Sequence, residues 1–549
     1  MTTMDRLEKH TILLRGDSPQ DVKTAGEILR RGGLVAIPTE TVYGLAANAL
    51  DGAAVKAIYQ AKGRPSDNPL IVHICDLSQL PPLVRQLPES AKKLAAAFWP
   101  GPLTIILKKS DLVPRETSGG LDTVAVRFPA HPVAQAVIRE AGLPLAAPSA
   151  NLSGKPSPTT FAHVREDLTG RVDALLDGGD CAVGVESTVL TLAEGTPRVL
   201  RPGGVTVGQL REVLGDVEVD PAVVHRLEEG VKAASPGMKY KHYAPQANVV
   251  IVDASPEDYR NYVNQQPEAF ALCYDEDGDR LTVPFVSYGS RYDHEKQAHM
   301  LFTSLHHLDE IGARNVFARM PQKRGVGLAV YNRLIRAAGF QILRPRKALT
   351  VGLVGPTGAG KSTVGKLLQE RGCAVIDCDA LTRDPQVYDG DCLQELQAAF
   401  GADVAAEGVL DRGLLARRAF ATPGGRKTLG DITFPRIVRR LLELRRQAED
   451  QGALAVVLDA PTLFEAGLDD SCARILAVTA PEEVRLERIR KRDGLSEEAA
   501  RLRMGAQKPE SFYTQRADSV VNTREGRGLE ALVAPLLEDW LPGEEERCL

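Results

Sequence analysis

Leu349-Thr350-Val351-Gly352-Leu353-Val354 reads as a buried parallel strand, and Gly355-Pro356-Thr357-Gly358-Ala359-Gly360-Lys361-Ser362 follows it with the G-x-x-x-x-G-K-S spacing of a phosphate-binding loop. Residues 363–370 then place Val364, Leu367 and Leu368 on one face of a helix, with Gly372 as its stop. Strand, glycine loop and helix in this order predict an α/β domain that holds a polyphosphate at the positive end of the helix. In this reading Gly355, Gly358, Ala359, Gly360 and Thr363 line a nucleotide, Lys361 reaches its outer phosphates and Ser362 holds Mg²⁺.

Outward from that loop, a chain of 549 residues is too long for one core, and about three or four domains are expected. The composition is ordinary for globular proteins, 43% apolar and 25% charged with net charge −5, so no overall basic excess marks a nucleic-acid binder. Eight cysteines at 75, 181, 273, 373, 378, 392, 472 and 548 contain no C-x-x-C pair, which favours a reducing cytoplasm over a zinc site or disulfide framework. The start, Met1-Thr2-Thr3-Met4-Asp5-Arg6-Leu7-Glu8-Lys9, lacks a signal peptide's apolar stretch. No run approaches the ~18–20 apolar residues that span a bilayer, so no membrane partner is expected.

Residues 10–205 alternate short apolar strands with helical stretches and read as a first α/β domain. Residues 206–247 read as a helix and a connector ending in Ser235-Pro236-Gly237-Met238-Lys239-Tyr240-Lys241-His242-Tyr243-Ala244-Pro245. A second strand set at 248–252, 269–273 and 315–318, with helices between, predicts a small doubly wound domain to 346, and 347–549 form the phosphate-loop domain.

In the first domain Pro38-Thr39-Glu40-Thr41-Val42-Tyr43-Gly44 follows a strand, so Thr41 emerges where α/β ligands bind. Lys62-Gly63-Arg64 puts two cations one residue apart, suited to clamping phosphates. Ala147-Pro148-Ser149-Ala150-Asn151 ends another strand with hydroxyl and amide groups. The set, with 99–104, 124–127, 184–189 and 200–204, resembles the threonylcarbamoyl-AMP synthase family in its long form, a YrdC-like twisted α/β domain followed by a small Rossmann-like domain. The resemblance implies that L-threonine, bicarbonate and ATP become threonylcarbamoyl-adenylate and pyrophosphate, for the N6-threonylcarbamoyladenosine modification of tRNA. Carried over by motif, Lys62, Arg64, Asn68, Thr123, Ser149, Asn151, Ser157 and Arg201 bind ATP. Thr41, His73, Arg127, the backbone at Ala147, and Ser187 bind threonine. The connector is expected to fold over the nucleotide, with Tyr240 and His242 joining the ATP site. Lys62 and Arg64 act as its catalytic cations, and the product passes transiently to the tRNA threonylcarbamoyl transferase machinery.

After the phosphate loop, Ala374-Val375-Ile376-Asp377-Cys378-Asp379 is a strand ending in two carboxylates, of which Asp379 is placed to deprotonate a hydroxyl and Asp377 to hold metal-bound water. Residues 482–503 read as an arginine-rich helical segment with Arg488 and Arg492 on one face, four apart. Together with 410–412, 461–467 and 492–499 these resemble dephospho-CoA kinase, a P-loop NTPase-type fold with a parallel sheet and helical lid. The resemblance implies transfer of the γ-phosphate of ATP to the ribose 3′-hydroxyl of dephospho-CoA, the last step of coenzyme A biosynthesis. It makes Asp379 the base, Lys361, Arg488 and Arg492 the phosphate clamps, and Arg383 a contact to dephospho-CoA. The chain departs from the family pattern at Phe434, Thr462 and Pro356-Thr357. Alternatives are a non-catalytic nucleotide or CoA sensor, a kinase for another small acceptor, and weak RNA binding by the cationic first domain.

Overall fold

The computed structural model describes residues 9–225, 243–524 and 528–540. Tyr240 and His242 lie outside the described residues. The contacts form two compact units: one takes in the chain up to Val252 together with Arg260–Leu343, the other Asp253–Tyr259 with the chain from Arg344 on.

The first unit holds two sheets. An 11-stranded mixed sheet runs in the order Ile12–Arg15, Ala174–Asp177, Val35–Ile37, Gly44–Asn48, Leu145–Ala146, Ile71–His73, Thr123–Arg127, Leu103–Lys108, Thr188–Thr191, Arg198–Arg201 and Glu218–Val219. Its central strands are buried almost throughout, as in Leu103–Lys108, because helices cover both faces. Leu29, Val137 and Ile138 from helices Pro19–Arg30 and Pro132–Ala141 pack under Val35 and Ile37. Val55, Ile58 and Leu94 from Gly52–Lys62 and Glu89–Phe98 join the core on the other face.

Register carries side chains of distant sequence to one edge. His73 pairs with Arg127 in a parallel ladder, Arg127 with Thr104 in an antiparallel one, and Leu103 with Thr188. The second sheet has five parallel strands in the order Phe285–Ser287, Ala269–Cys273, Asn315–Arg319, Asn248–Val252 and Ile342–Leu343, as expected of a small doubly wound domain. The stretch after residue 205 is less simple than a helix and connector. Helix Val207–Leu214 is followed by strand Glu218–Val219, which extends the large sheet alongside Arg198–Arg201.

The second unit is a five-stranded parallel sheet in the order Ala374–Asp377, Ala455–Asp459, Leu349–Val354, Arg474–Thr479 and Ser519–Asn522. Strand Leu349–Val354 is where the sequence places it, fully buried at the centre. The helix after it begins at Lys361, two residues earlier than the pattern predicts, since Gly360 at φ 102 supplies the turn into it. The arginine-rich segment is two helices, not one: Glu482–Asp493 stops at Gly494, φ 66, and Ser496 caps Glu497–Gly505 by accepting from the Ala499 N–H. No helix among the described residues is long and apolar enough to cross a membrane.

Candidate active sites

In the first unit, Lys62 is the last residue of its helix and Gly63, φ 64, reverses the chain behind it, so Lys62 and Arg64 both turn into one pocket. The Lys62 ammonium donates to the carbonyls of Ser149 and Asn151 and lies 3.3 Å from Asn151 Oδ1. Burial, with Arg64 beside it, pulls its pKa well below the ordinary lysine value. Arg64 is pulled down to about 10, again by burial, and its Nε is buried without a hydrogen-bond partner. The loop facing them is internally fixed. Ser149 Oγ donates to Asn151 Oδ1 at 2.6 Å, the Asn151 amide donates to the carbonyls of Leu152 and Lys155, and Asp167 takes the Leu152 N–H and the Lys155 ammonium.

Arg127 lines the same pocket. Its Nη1 donates to Thr41 Oγ at 2.8 Å and its Nη2 is 2.7 Å from Glu40 Oε1. Burial raises the Glu40 carboxyl, but Arg127 outweighs it and holds Glu40 below the ordinary carboxylate value. His73 Nδ1 sits 3.2 Å from the Ile71 carbonyl, and burial next to Arg127 lowers the imidazole to about 3, so it is neutral at physiological pH. Arg201 donates to the carbonyl and the hydroxyl of Ser187, and that hydroxyl is 2.8 Å from Thr104 Oγ. The Ala147 N–H is taken by the Ile71 carbonyl, and Ala147 lines the same pocket.

Thr41, Lys62, Arg64, His73, Arg127, Ala147, Ser149, Asn151, Ser187 and Arg201, ten residues named from sequence, therefore line one pocket. Three others stand apart from its lining. Asn68 is buried with its Oδ1 unbonded, Ser157 lies behind Glu186 and donates to it at 2.6 Å, and Thr123 opens the strand that Arg127 closes. Lys62, Arg64, Arg127 and Arg201 against the single carboxylate Glu186 give this lining a net positive charge, suited to a polyanion. Tyr243, in the connector expected to fold over the nucleotide, lines the pocket, whereas Glu40 and Glu186 were missed as site residues in the sequence. Glu40 and Glu186 sit inside the motifs Pro38–Gly44 and Gly184–Val189, and their roles come from the arginines the fold brings beside them, Arg127 and Arg333.

In the second unit, the glycine loop lies between strand Leu349–Val354 and its helix. A Cβ at Gly355, φ 141, would stand 2.2 Å from the Val478 carbonyl, so no other residue fits the turn. Lys361 Nζ folds back to donate to the Gly355 carbonyl at 3.0 Å. Burial lowers its pKa while Asp459 and then Asp379 pull it upward. The departure at Thr357 is held from both sides: its N–H donates to Gln507 Oε1 at 2.7 Å and its carbonyl accepts from Arg485 Nε.

Arg488, expected on phosphate, directs Nη1 to the carbonyls of Gly358 and Ala359 and to Thr523 Oγ, and so braces the loop from behind while still lining its cavity. Arg492 lines the same cavity, with its guanidinium forked on Asp493. Asp377, expected near metal, spends its carboxylate capping the short helix Cys378–Leu381 through the Ala380 N–H. Asp459 stands beside it in register, next also to Leu353. Burial, with Asp377 and Asp379 nearby, pushes the Asp459 carboxyl up while Lys361 opposes them, and its Oδ1 is buried without a hydrogen-bond partner. Asp459 was missed because strand adjacency, not sequence spacing, brings it to the loop. Asp379 and Arg383 are exposed, Arg383 with its carbonyl taken by Arg412. Phe434 is exposed on helix Pro423–Asp450 and displaces none of Lys361, Ser362 or Asp379.

Three family models match in tandem: telomere recombination over 27–203, the threonylcarbamoyl-AMP synthase C-terminal domain over 205–339, and dephospho-CoA kinase over 349–527. The threonylcarbamoyl-AMP synthase of Pyrococcus abyssi is 46% identical over 333 residues, 59% of this chain and 95% of the relative. A dephospho-CoA kinase of Corynebacterium jeikeium is 40% identical over 174 residues, 32% of this chain and 90% of the relative. The chain belongs to both families. It is a fusion of a long-form threonylcarbamoyl-AMP synthase with a dephospho-CoA kinase. A crystal structure of a P. abyssi homologue complexed with L-threonine superposes on the synthase part with TM-score 0.56 at 43% identity, covering 61% of this chain and 99% of that one. The bifunctional reading thus stands over the sensor alternative.

Proposed function

We propose that the two pockets divide the chemistry as follows. In the synthase pocket the ATP phosphates lie on Lys62, Arg64, Ser149, Asn151 and Arg201, with Asn68, Thr123 and Ser157 on the nucleotide side and Tyr240 and His242 completing it. Threonine lies between Arg127, Thr41, His73, the backbone at Ala147 and Ser187. Its amine attacks the bicarbonate carbon and water leaves to give a carbamate, a carbamate oxygen then attacks the α-phosphorus, and pyrophosphate leaves with the bridging electron pair. No protein nucleophile is needed. Positioning and charge neutralisation carry the step. The supporting observation is the buried, unbonded Arg64 Nε in a pocket of net positive charge, a donor left waiting for an anion. His73, held neutral, fits the threonine side, where a second cation would compete with Arg127 for the carboxylate.

In the kinase pocket Lys361 releases the Gly355 carbonyl to meet the outer phosphates, Arg492 closes from the lid, and Arg488 fixes the loop that presents backbone N–H groups. Asp379 takes the proton of the 3′-hydroxyl as its oxygen bonds to the γ-phosphorus and ADP leaves, with Arg383 holding dephospho-CoA. The Ser362 hydroxyl and the unbonded buried Asp459 Oδ1 fit Mg²⁺, which binds few protein oxygens and completes its shell with phosphate and water. Asp377 then acts through water. When bound, the ion supplies charge neutralisation across the β- and γ-phosphates. Removing it with EDTA is expected to stop ADP formation and excess Mg²⁺ to restore it.

We assign domain limits of 10–205, 206–247, 248–346 and 347–549; the strands of the second sheet fall within 248–346 and those of the third within 347–549, while strand Glu218–Val219 carries the large sheet past 205. We place both reactions in the cytoplasm, with the adenylate handed to a tRNA-modifying transferase. The test of the site assignment is ATP–pyrophosphate chemistry of the full chain. Lys62→Ala should abolish threonine- and bicarbonate-dependent pyrophosphate release, and Arg127→Ala should keep it but raise the threonine KM. A wild-type rate in Lys62→Ala or a wild-type threonine KM in Arg127→Ala would overturn it.

A further inference from the structure

Beneath the synthase pocket, a fully buried arginine from the small parallel-sheet domain reaches into the first domain. Arg333, on helix Gly327–Ala337, is 0% exposed and spends its guanidinium on two loops of the large sheet. Nε donates to Glu186 Oε2 at 2.9 Å and Nη2 to the Glu186 carbonyl at 3.1 Å. Nη1 donates to the Pro202 carbonyl at 2.6 Å and to Asn332 Oδ1 at 3.1 Å. Glu186 Oε1 in turn accepts from Ser157 Oγ at 2.6 Å. The neighbours of these contacts are Ser187 and Arg201, themselves bonded to each other. Directly at Glu186 and Pro202, and through Glu186 at Ser157, one side chain thus ties together the segments that carry Ser157, Ser187 and Arg201.

Its charge matters as much as its hydrogen bonds. Glu186 lines the pocket that, on the reading above, receives a polyphosphate. An unneutralised carboxylate there would repel the substrate through a low-dielectric medium. The charged and titratable groups facing Glu186 are Arg333, Arg201 and Tyr243. Arg201 is already a pocket cation, whereas Arg333 is committed to Glu186 from behind.

We propose that Arg333 is a positioning residue for adenylate synthesis: it cancels the Glu186 charge and locks the Ser187 and Arg201 loops, making the small domain an obligate part of the synthase site. This rests on the assignment of ATP to this pocket.

The experiment uses the full chain and compares Arg333→Met, Arg333→Lys and Arg333→Met/Glu186→Gln, with Lys62→Ala as the control on the pocket itself. Pyrophosphate release gives KM for ATP and kcat. Dephospho-CoA phosphorylation by the same samples and their thermal melting report folding. Arg333→Met is expected to raise the ATP KM at least tenfold at pH 8 and to recover part of that loss at pH 6, since an unpartnered buried Glu186 takes up a proton more readily. The double variant should recover part of the loss at pH 8 and show no gain at pH 6, because the orphaned carboxylate is gone while the anchor on the Pro202 and Glu186 carbonyls is still missing. Arg333→Lys should fall between, keeping the charge but not the fork. An ATP KM within twofold of wild type in Arg333→Met overturns the inference. So does a loss that is pH-independent and unrescued by Glu186→Gln. Should Arg333→Met fail to fold, the double variant decides alone: folded and active supports the charge argument, folded and inactive refutes it. If Lys62→Ala keeps wild-type ATP use, the pocket assignment fails instead.

Discussion

On the site assignment proposed above, Arg127 is a side chain prepared for a ligand before the ligand arrives. Its guanidinium is held by Thr41 and Glu40 in a buried site, so a carboxylate entering there meets a fixed fork. Removing it should cost about 2–3 kcal/mol of threonine binding, a 30- to 150-fold rise in KM, readable by steady-state kinetics. At the kinase site the corresponding expectation concerns Asp459. Asp459→Asn should leave ATP bound but raise the Mg²⁺ concentration for half-maximal ADP formation roughly tenfold or more, seen by titrating the metal at fixed ATP. An unchanged Mg²⁺ requirement would remove Asp459 from the metal site. Both carboxylates of interest, Asp459 and Glu186, escaped the sequence reading for one reason. Their roles come from what lies beside them across a sheet or beneath a loop, while the cations and glycines advertise themselves by local spacing.

At the scale of elements, punctuation was what made the fold legible. Strand Leu349–Val354, its glycine loop and the helix after it stand within two residues of the pattern, because Gly355 and Gly360 impose turns that few other residues accept. The break at Gly494 was also readable, but the run of arginines on both sides masked it. What sequence could not supply was register, as in the pairing of His73 with Arg127. A second glycine carries a testable consequence. Gly184, φ 79, lets the loop before Glu186 touch the backbone of helix His294–Glu310, where a Cβ would lie 2.3 Å from His299 Cα. Backbone on both sides cannot yield, so Gly184→Ala should destabilise the synthase unit by about 3 kcal/mol or more. Its thermal transition should fall, with the kinase rate of the same chain unchanged at temperatures below that transition.

For the molecule as a whole, buried histidines set an acid limit on the synthase unit. His163 and His306 stack at 3.9 Å between ring centroids, on helices from the first and the small domain. Burial lowers both, His163 to about 4, with Lys155, Asp167, Glu166, Asp180 and Glu310 the charged groups around the pair. A depressed pKa means that the unfolded chain binds the proton first. Their contribution to stability is therefore complete above the ordinary value of 6.5 and lost as pH falls from there toward 4. Melting of the first unit should drop across that window, and replacing both rings by phenylalanine should flatten the fall.

The central claim is that one chain carries two separate ATP-consuming sites, and one crossed measurement tests it. Pyrophosphate release with threonine and bicarbonate, and ADP release with dephospho-CoA, would be followed on the full chain bearing Lys62→Ala or Lys361→Ala. The account predicts that Lys62→Ala abolishes only pyrophosphate release and Lys361→Ala only ADP release. Loss of both activities in either variant, or survival of its own activity in either, would contradict it.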